Sequence, residues 1–205
     1  MSQMTYGYLK ERALDCLFEH ESENGETILL DDARNAASLR MADIMTSCLV
    51  RMFETLSVGR KKAHLKLETS EKTGFVKAEL PEDFSRFDGE NSAFFNGSDF
   101  YVNDGYIYVD ENCLGCGSMI ELDYRAMPPK ITSETDEGFV IELSPLAAEA
   151  LICLCALELC RPEDTSLYTK LYYKYNDLCM GLGEPLPSAR KNSFFSTNLK
   201  KRWAK

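Results

Sequence analysis

The chain has 205 residues, of which 44% are hydrophobic and 27% charged, enough to form one compact body or a core with an inserted lobe. Its net charge of −10 argues against general coating of nucleic acid, because neutralising phosphates requires an excess of Lys and Arg. No stretch reaches the roughly 20 apolar residues that span a bilayer, and the N-terminus lacks a secretory pattern, so we expect a cytoplasmic protein without a membrane partner.

Two helices are predicted in the first part of the chain. Residues 6–20 carry apolar side chains at three- and four-residue steps, which indicates an amphipathic helix. A second, longer helix is predicted to begin at Asp31 and Asp32 and to run to about Leu56, since acidic residues suit a helix N-terminus. Gly59, followed by three basic residues, is predicted to mark its C-terminal end.

The pattern changes to period two at about His64 and keeps it to about Thr132, which predicts β-structure. The clearest hairpin covers residues 100–109, with a turn at 103–105 whose Asn, Asp and Gly tolerate positive φ. Another strand is predicted at 119–124, with two prolines downstream to stop it.

Helical patterns return near the C-terminus. Ser144 and Pro145 form a predicted N-cap and first helical position, and the helix that follows is apolar on nearly all sides, so we expect it to be central. A last helix is predicted to open at residues 162–164 and to end at Gly181 or Gly183.

These elements predict an α+β fold: a four-helix bundle formed by the N- and C-terminal helix pairs, with an inserted antiparallel β lobe. The helical halves are expected at 1–62 and 141–184, and the β lobe at 63–140. Residues 185–205 are predicted to be a basic, extended C-terminal arm.

The arm contains six basic residues and no acidic one, whereas the first 184 residues carry 17 basic and 33 acidic residues. Aromatic and arginine side chains dominate interface energetics, so a segment rich in both is typical of an arm that docks on a partner. The alternative is a disordered, solubilising tail. The candidate partner-binding residues are Arg190, Lys191, Phe194, Phe195, Lys200, Lys201, Arg202 and Trp203.

The sequence Cys113-Leu114-Gly115-Cys116 is the first candidate for chemistry, since such a pair can bind zinc or cycle as a disulfide. A zinc site needs four ligands, and a redox pair needs its first thiolate at a helix N-terminus, so a turn between two strands is favoured. We predict no metal and no cofactor. The six remaining cysteines lie in helical patterns and are predicted to be free core thiols: Cys16, Cys48, Cys153, Cys155, Cys160 and Cys179.

No catalytic constellation is predicted, and we expect a protein that is not an enzyme. His64 lies in an alternating strand on the face of Lys66 and Glu68, which favours a solvated position over a general base. The paired carboxylates Asp31-Asp32 and Asp136-Glu137 could hold Mg²⁺, but the first pair falls at a predicted helix start and the second in a turn before Gly138, and carboxylates are ordinary in both places. Phosphate-binding and zinc-protease motifs are absent from the sequence.

Four tyrosines lie close together in the last predicted helix. With nearby Lys170 and Lys174 they could form a platform for stacking bases. Their helical spacing and the acidic composition of the chain favour core and interface packing instead. They are Tyr168, Tyr172, Tyr173 and Tyr175.

The middle and C-terminal parts of the chain resemble the head-to-tail connector (adaptor and ring) proteins of tailed bacteriophages, especially the ring adaptors of podophages. The resemblance covers residues 6–183 and is carried by short segments. They are Leu80-Pro81-Glu82-Asp83-Phe84, Tyr106-Ile107-Tyr108-Val109, residues 120–128, Asp136-Glu137-Gly138, Leu143-Ser144-Pro145-Leu146-Ala147 and Tyr172-Tyr173-Lys174-Tyr175.

The resemblance implies a virion protein of the head–tail junction, assembled in the host cytoplasm as a ring of about twelve subunits. Its implied partners are the portal protein and adjacent tail or ring proteins, and DNA would pass through the ring without specific binding. An acidic body suits such a channel because it repels phosphates. The Cys113–Cys116 turn is not part of the resemblance. The alternatives are another tail-completion or baseplate interaction protein, or a small zinc or thiol protein.

Overall fold

The computed structural model describes residues 4–18, 27–56, 58–88, 100–113, 119–160 and 164–182. The fold is α+β, with helices at both ends of the chain and antiparallel sheets in the middle. The chain forms two compact units. One contains Met1–Ser57 with Ser133–Lys205 and is called the helical unit; the other, Val58–Thr132, is called the β unit.

The described helical unit contains four α-helices. They are α1 (Tyr6–Phe18), α2 (Thr27–Thr55), α3 (Pro145–Leu159) and α4 (Thr165–Gly181). Helix α3 packs against the other three. Ten of its residues are buried, between Ala147 and Leu157, which confirms that the helix apolar on nearly all sides is the central one.

Polar side chains begin α3 and α4 as the sequence indicates. The Oγ of Ser144 accepts a hydrogen bond from the backbone N–H of Ala147 at 3.2 Å, and Pro145 follows at the first helical position. At α4 the carboxylate of Asp164 accepts from the N–H of Leu167 at 3.0 Å. These bonds satisfy helix N–H groups that have no partner within the helix.

The β unit contains seven described strands in two antiparallel sheets. They are β1 (Arg60–Lys66), β2 (Glu68–Thr69), β3 (Phe75–Glu79), β4 (Phe84–Phe87), β5 (Phe100–Asn103), β6 (Tyr106–Asp110) and β7 (Met119–Ala126). One sheet has the order β1-β7-β4 and the other β2-β3-β6-β5. Only residue 67 separates β1 from β2, so the chain passes from one sheet to the other there.

The register of β1 and β7 places alternate residues on opposite faces of the sheet, which accounts for the period-two pattern of the sequence. Leu65 pairs with Ile120 and Ala63 with Leu122, which places apolar side chains on one face. On the other face the exposed Lys62 donates to the carboxylate of Glu121 at 2.7 Å. One face therefore contributes to the core and the other is charged.

The predicted hairpin is confirmed as β5 and β6. Asn103 pairs with Tyr106, so the loop consists of Asp104 and Gly105 alone. Their φ angles are 50° and 79°, the pair of positive values that a two-residue type I′ turn requires.

Two predicted boundaries were wrong. Helix α2 begins at Thr27, so Asp31 and Asp32 lie inside it and not at its N-terminus. Strand β1 begins at Arg60 and not at His64, because its whole length pairs with β7. Gly59, with φ of 78°, does lie between helix and strand.

The segment after the β unit belongs to the helical unit. The β unit spans Val58–Thr132, where the pattern suggested 63–140. The reason lies in the backbone: the N–H groups of Tyr6 and Gly7 donate to the carbonyls of Phe139 and Glu137, both at 2.8 Å. Residues 133–140 therefore pack on the start of α1.

Candidate interaction surfaces

An exposed aromatic surface lies on α4. Tyr168 and Tyr172 are each 47% exposed and Tyr173 is 64% exposed. The rings of Tyr168 and Tyr172 are nearly parallel with centroids 6.3 Å apart, and Tyr173 meets Tyr172 edge-on at 6.1 Å. We call these three residues the tyrosine surface.

The helical register separates this surface from the core. Leu171 and Tyr175, four residues apart, are buried, so they mark the inward side of α4. The four tyrosines were predicted to pack in the core or at an interface. Tyr175 does pack in the core, and burial raises the pKa of its hydroxyl group. The other three rings lie outside the core.

Lysines flank the tyrosine surface. Lys170 and Lys174 are both exposed, and the ammonium group of Lys174 lies 3.6 Å from the carboxylate of Glu149 on α3. Exposed tyrosines with a few charges beside them have the composition of a protein–protein interface, since each ring offers apolar area and a hydroxyl.

A second exposed surface follows residues 133–142, which we call the acidic segment. It holds four exposed carboxylates, Glu134, Asp136, Glu137 and Glu142. Between them the side chains of Phe139 and Val140 are 41% and 43% exposed. The segment therefore combines negative charge with apolar area.

The turn predicted at Asp136-Glu137 is confirmed. The Asp136 carboxylate accepts from the N–H of Gly138 at 2.7 Å, and its carbonyl accepts from the N–H of Phe139 at 2.9 Å. The Glu137 carboxylate lies 3.0 Å from the ammonium group of Lys10 on α1. Both carboxylates thus have structural roles, and no cluster of three or more potential metal ligands occurs among the described residues.

The cysteines of the helical unit are free, as predicted. Burial raises the pKa of the Cys153 thiol to about 11. A hydrogen bond with Cys48, together with burial, raises the pKa of Cys155 well above its ordinary value. Burial also raises the pKa of Cys160 and of Cys179. Protonated thiols are poor nucleophiles. The predicted core position is confirmed for Cys48, Cys153 and Cys155, whereas Cys16, Cys160 and Cys179 are only partly buried.

The sheet β2-β3-β6-β5 carries a second group of aromatic rings. Tyr101 and Tyr108 stack with centroids 4.7 Å apart, and the ammonium group of Lys72 lies within 5 Å of both centroids, at 4.8 and 4.9 Å. Hydrogen bonding with Tyr101 raises the pKa of Lys72. The rings are covered in part by each other and by lysine, so they offer less open area than the tyrosine surface.

Carboxylates of the β unit engage cations within the same unit. Asp88 binds the buried guanidinium of Arg125 at 2.8 Å and the exposed guanidinium of Arg60 at 2.9 Å. Asp83 accepts from the Tyr124 hydroxyl at 2.8 Å and faces the Lys61 ammonium at 3.0 Å. His64 is exposed on β1 opposite Glu121, which confirms its solvated position.

No protein-family model matches the chain, and no curated protein shows a significant match to it. The resemblance to phage connectors therefore remains a prediction from the sequence.

Two groups of predicted site residues lie outside the described part of the chain. Cys116 and the side chain of Cys113 are among them, although the backbone of Cys113 ends a short 3-10 helix, Glu111–Cys113. So are all eight arm residues, since the described chain ends at Leu182. Among the described residues, no helix is both long and apolar enough to cross a membrane.

The ion pairs of the structure were not predicted from the sequence, and those of Arg34 illustrate this. The guanidinium of Arg34 on α2 binds Glu11 at 2.7 Å and Asp15 at 2.9 Å, both on α1. These hydrogen bonds raise the pKa of Arg34. The four-residue spacing of Glu11 and Asp15 was a visible signal that both carboxylates share one face of α1.

Proposed function

We propose that this protein is a structural virion subunit: a head-to-tail connector of a tailed phage, forming a ring that joins the portal to the tail and continues the DNA channel. The observation that carries the proposal is the tyrosine surface on α4. Three large rings exposed together on one helix are typical of a surface that a partner covers.

A ring of identical subunits needs two different surfaces on each subunit, because a head-to-tail contact joins unlike patches. The tyrosine surface and the acidic segment are two such patches, on α4 and on the segment before α3. In this proposal the four helices form a bundle around α3, and the tyrosine surface is one half of the subunit contact.

The charge distribution supports the channel part of the proposal. Seventeen basic and 33 acidic residues in the first 184 give a strongly negative body. A negative lumen would repel DNA phosphates and let the genome slide without binding. The arm residues, from Arg190 to Trp203, would then bind the portal or a neighbouring subunit.

The proposal is tested by the mass of the full chain in solution, measured by sedimentation velocity across a range of concentrations. We expect the wild type to form a discrete ring-sized species. The combined variant Tyr168→Ser, Tyr172→Ser and Tyr173→Ser should remain a monomer with an unchanged circular dichroism spectrum.

The matched control is Leu39→Ser, which removes an apolar side chain that is 84% exposed on a different helix, α2. It should assemble like the wild type. Equal assembly of the triple variant and the control would remove the tyrosine surface from the subunit contact, and a wild type that stays monomeric at all concentrations would argue against a self-assembling ring.

A further inference from the structure

The acidic segment has a natural counterpart in the same chain. It carries four exposed carboxylates around Phe139 and Val140, whereas residues 185–205 carry six cations and no acidic residue. The same residues include three large aromatic side chains, Phe194, Phe195 and Trp203. Charge and apolar character are thus complementary between the two.

The described part of α4 ends near the start of α3. A Cβ built on Gly181, the last residue of α4, would lie 3.0 Å from a methyl group of Leu146. Leu146 is the second residue of α3, which follows directly after the acidic segment. The last described residues, Gly181 and Leu182, therefore lie near the start of α3, and residues 183–205 continue the chain from there.

We propose that residues 185–205 dock on the acidic segment of their own chain, with Arg190 and Lys191 opposite its carboxylates and the aromatic side chains against Phe139 and Val140. Eleven residues lie between Leu182 and Phe194, and a chain of that length can span up to about 40 Å. The tether is thus long enough, and it makes docking on the same chain an intramolecular event with a high effective concentration.

The tyrosine surface is a poorer site for this segment. It offers comparable aromatic area, but the charges that flank it are Lys170 and Lys174, the latter paired with Glu149, whereas the acidic segment offers four carboxylates to a basic segment. Docking on the acidic segment also leaves the tyrosine surface open for a partner. The inference holds whether or not the protein is a connector, and in a connector it would keep the arm on its own subunit before assembly.

The only tryptophan of the chain, Trp203, lies in this segment, so intrinsic fluorescence reports on docking in the intact protein. We expect Trp203 emission at short wavelength with weak acrylamide quenching at low salt. As added salt screens the ionic contacts, the emission should move to longer wavelength and acrylamide quenching should increase, toward the values of free indole. An emission already like that of free indole at low salt would overturn the proposal.

Variants locate the docking site. Phe139→Ser combined with Val140→Ser, and separately Glu134→Gln combined with Glu142→Gln, should each shift Trp203 emission to longer wavelength and increase quenching. The matched control, Glu79→Gln with Glu111→Gln, removes two exposed carboxylates of the β unit and should leave both unchanged.

If the emission and quenching of Trp203 change no more in the acidic-segment variants than in the control pair, the acidic segment is not the docking site. A circular dichroism spectrum and a melting temperature for each variant separate loss of docking from loss of fold.

The short-wavelength emission of Trp203 should also survive a hundredfold dilution. Its loss on dilution would overturn docking on the same chain in favour of docking on a second copy. Because the acidic segment is also a candidate subunit contact, the same readouts are taken on the combined variant Tyr168→Ser, Tyr172→Ser and Tyr173→Ser, which is expected to remain a monomer, so the two proposals can fail separately.

Discussion

A side chain on Gly7 has no room beside Glu137: a Cβ at that position would lie 2.9 Å from the Cβ of Glu137 and 3.0 Å from its carbonyl oxygen. The same carbonyl accepts the N–H of Gly7 at 2.8 Å. The contact joins the first turn of α1 to the acidic segment, 130 residues away in the sequence.

Gly7→Ala is therefore expected to destabilise the protein by about 1–3 kcal/mol, because backbone must shift to admit the methyl group. Helix propensity alone predicts the opposite sign, since Ala is the better helix former. Urea denaturation of the full chain decides the sign.

Gly181→Ala, at the last residue of α4, is the matched control. There the added methyl group meets only the end of the Leu146 side chain, which can rotate. A neutral or stabilising effect is expected. If Gly7→Ala behaves like Gly181→Ala, the close approach to Glu137 does not restrict residue 7.

The ion pair of Asp88 with Arg125 should matter more than the exposed ion pairs of the β unit. The Arg125 side chain is 3% exposed and that of Asp88 17%. Asp88→Ala removes the carboxylate that faces a buried guanidinium, which typically costs about 3 kcal/mol or more. Hydrogen exchange of the β7 amides should accelerate accordingly.

Glu121→Ala is the control for that measurement. It breaks the 2.7 Å contact with Lys62, whose side chain is 66% exposed, and exposed pairs contribute little. We expect exchange near the wild-type rate. Similar acceleration in both variants would show that burial of Arg125 adds nothing.

Asp83 predicts a dependence of stability on pH. Burial alone would raise the pKa of its carboxyl, but hydrogen bonds from Lys61 and Tyr124 outweigh it and hold the pKa below the ordinary value of 3.8. A carboxyl with a lowered folded-state pKa stabilises the fold above its unfolded-state pKa and loses that contribution as the pH falls through the folded-state value.

Asp83→Asn should thus lower the free energy of unfolding at neutral pH, and the difference from wild type should shrink below about pH 4. The measurement is urea denaturation at several pH values between 7 and 3. Glu82→Gln, at an exposed neighbouring position, is the control and should show no such trend. A difference for Asp83→Asn that stays constant down to pH 3 would contradict the ionic origin of the effect.

Ser144 supplies a prediction for α3. Ser144→Ala removes the hydroxyl that accepts the N–H of Ala147 and is expected to cost about 1 kcal/mol. Ser47→Ala serves as control, because the Ser47 hydroxyl bonds to a carbonyl within α2 and Ala is the better helix former. The two variants should differ in the sign or size of their shift in melting temperature, and equal shifts would show that the cap contributes nothing.

Local signals were enough to predict some elements of this fold. Helix α3 combines a cap, a proline and a continuous apolar run, and the β5–β6 hairpin has its turn in Asp104 and Gly105. Both depend on residues close in sequence. The predicted N-terminus of α2 was four residues too late. Asp31 and Asp32 are typical of a first helical turn, but the helix begins at Thr27.

Features that depend on distant partners were not predictable in the same way. Residues 133–140 pack on α1 through backbone hydrogen bonds from Tyr6 and Gly7. Backbone hydrogen bonds do not depend on residue type, so no sequence pattern indicates them. The tyrosines of α4 illustrate a second limit. Residue type does not distinguish the buried Tyr175 from the exposed Tyr173, and only the register set by Leu171 separates them.

The most direct test of the connector proposal is negative-stain imaging of tagged full-length protein recovered from its source during phage production. The proposal predicts ring-shaped particles, or capsids whose tail vertex carries the tag. A small species that never associates with virions would contradict it.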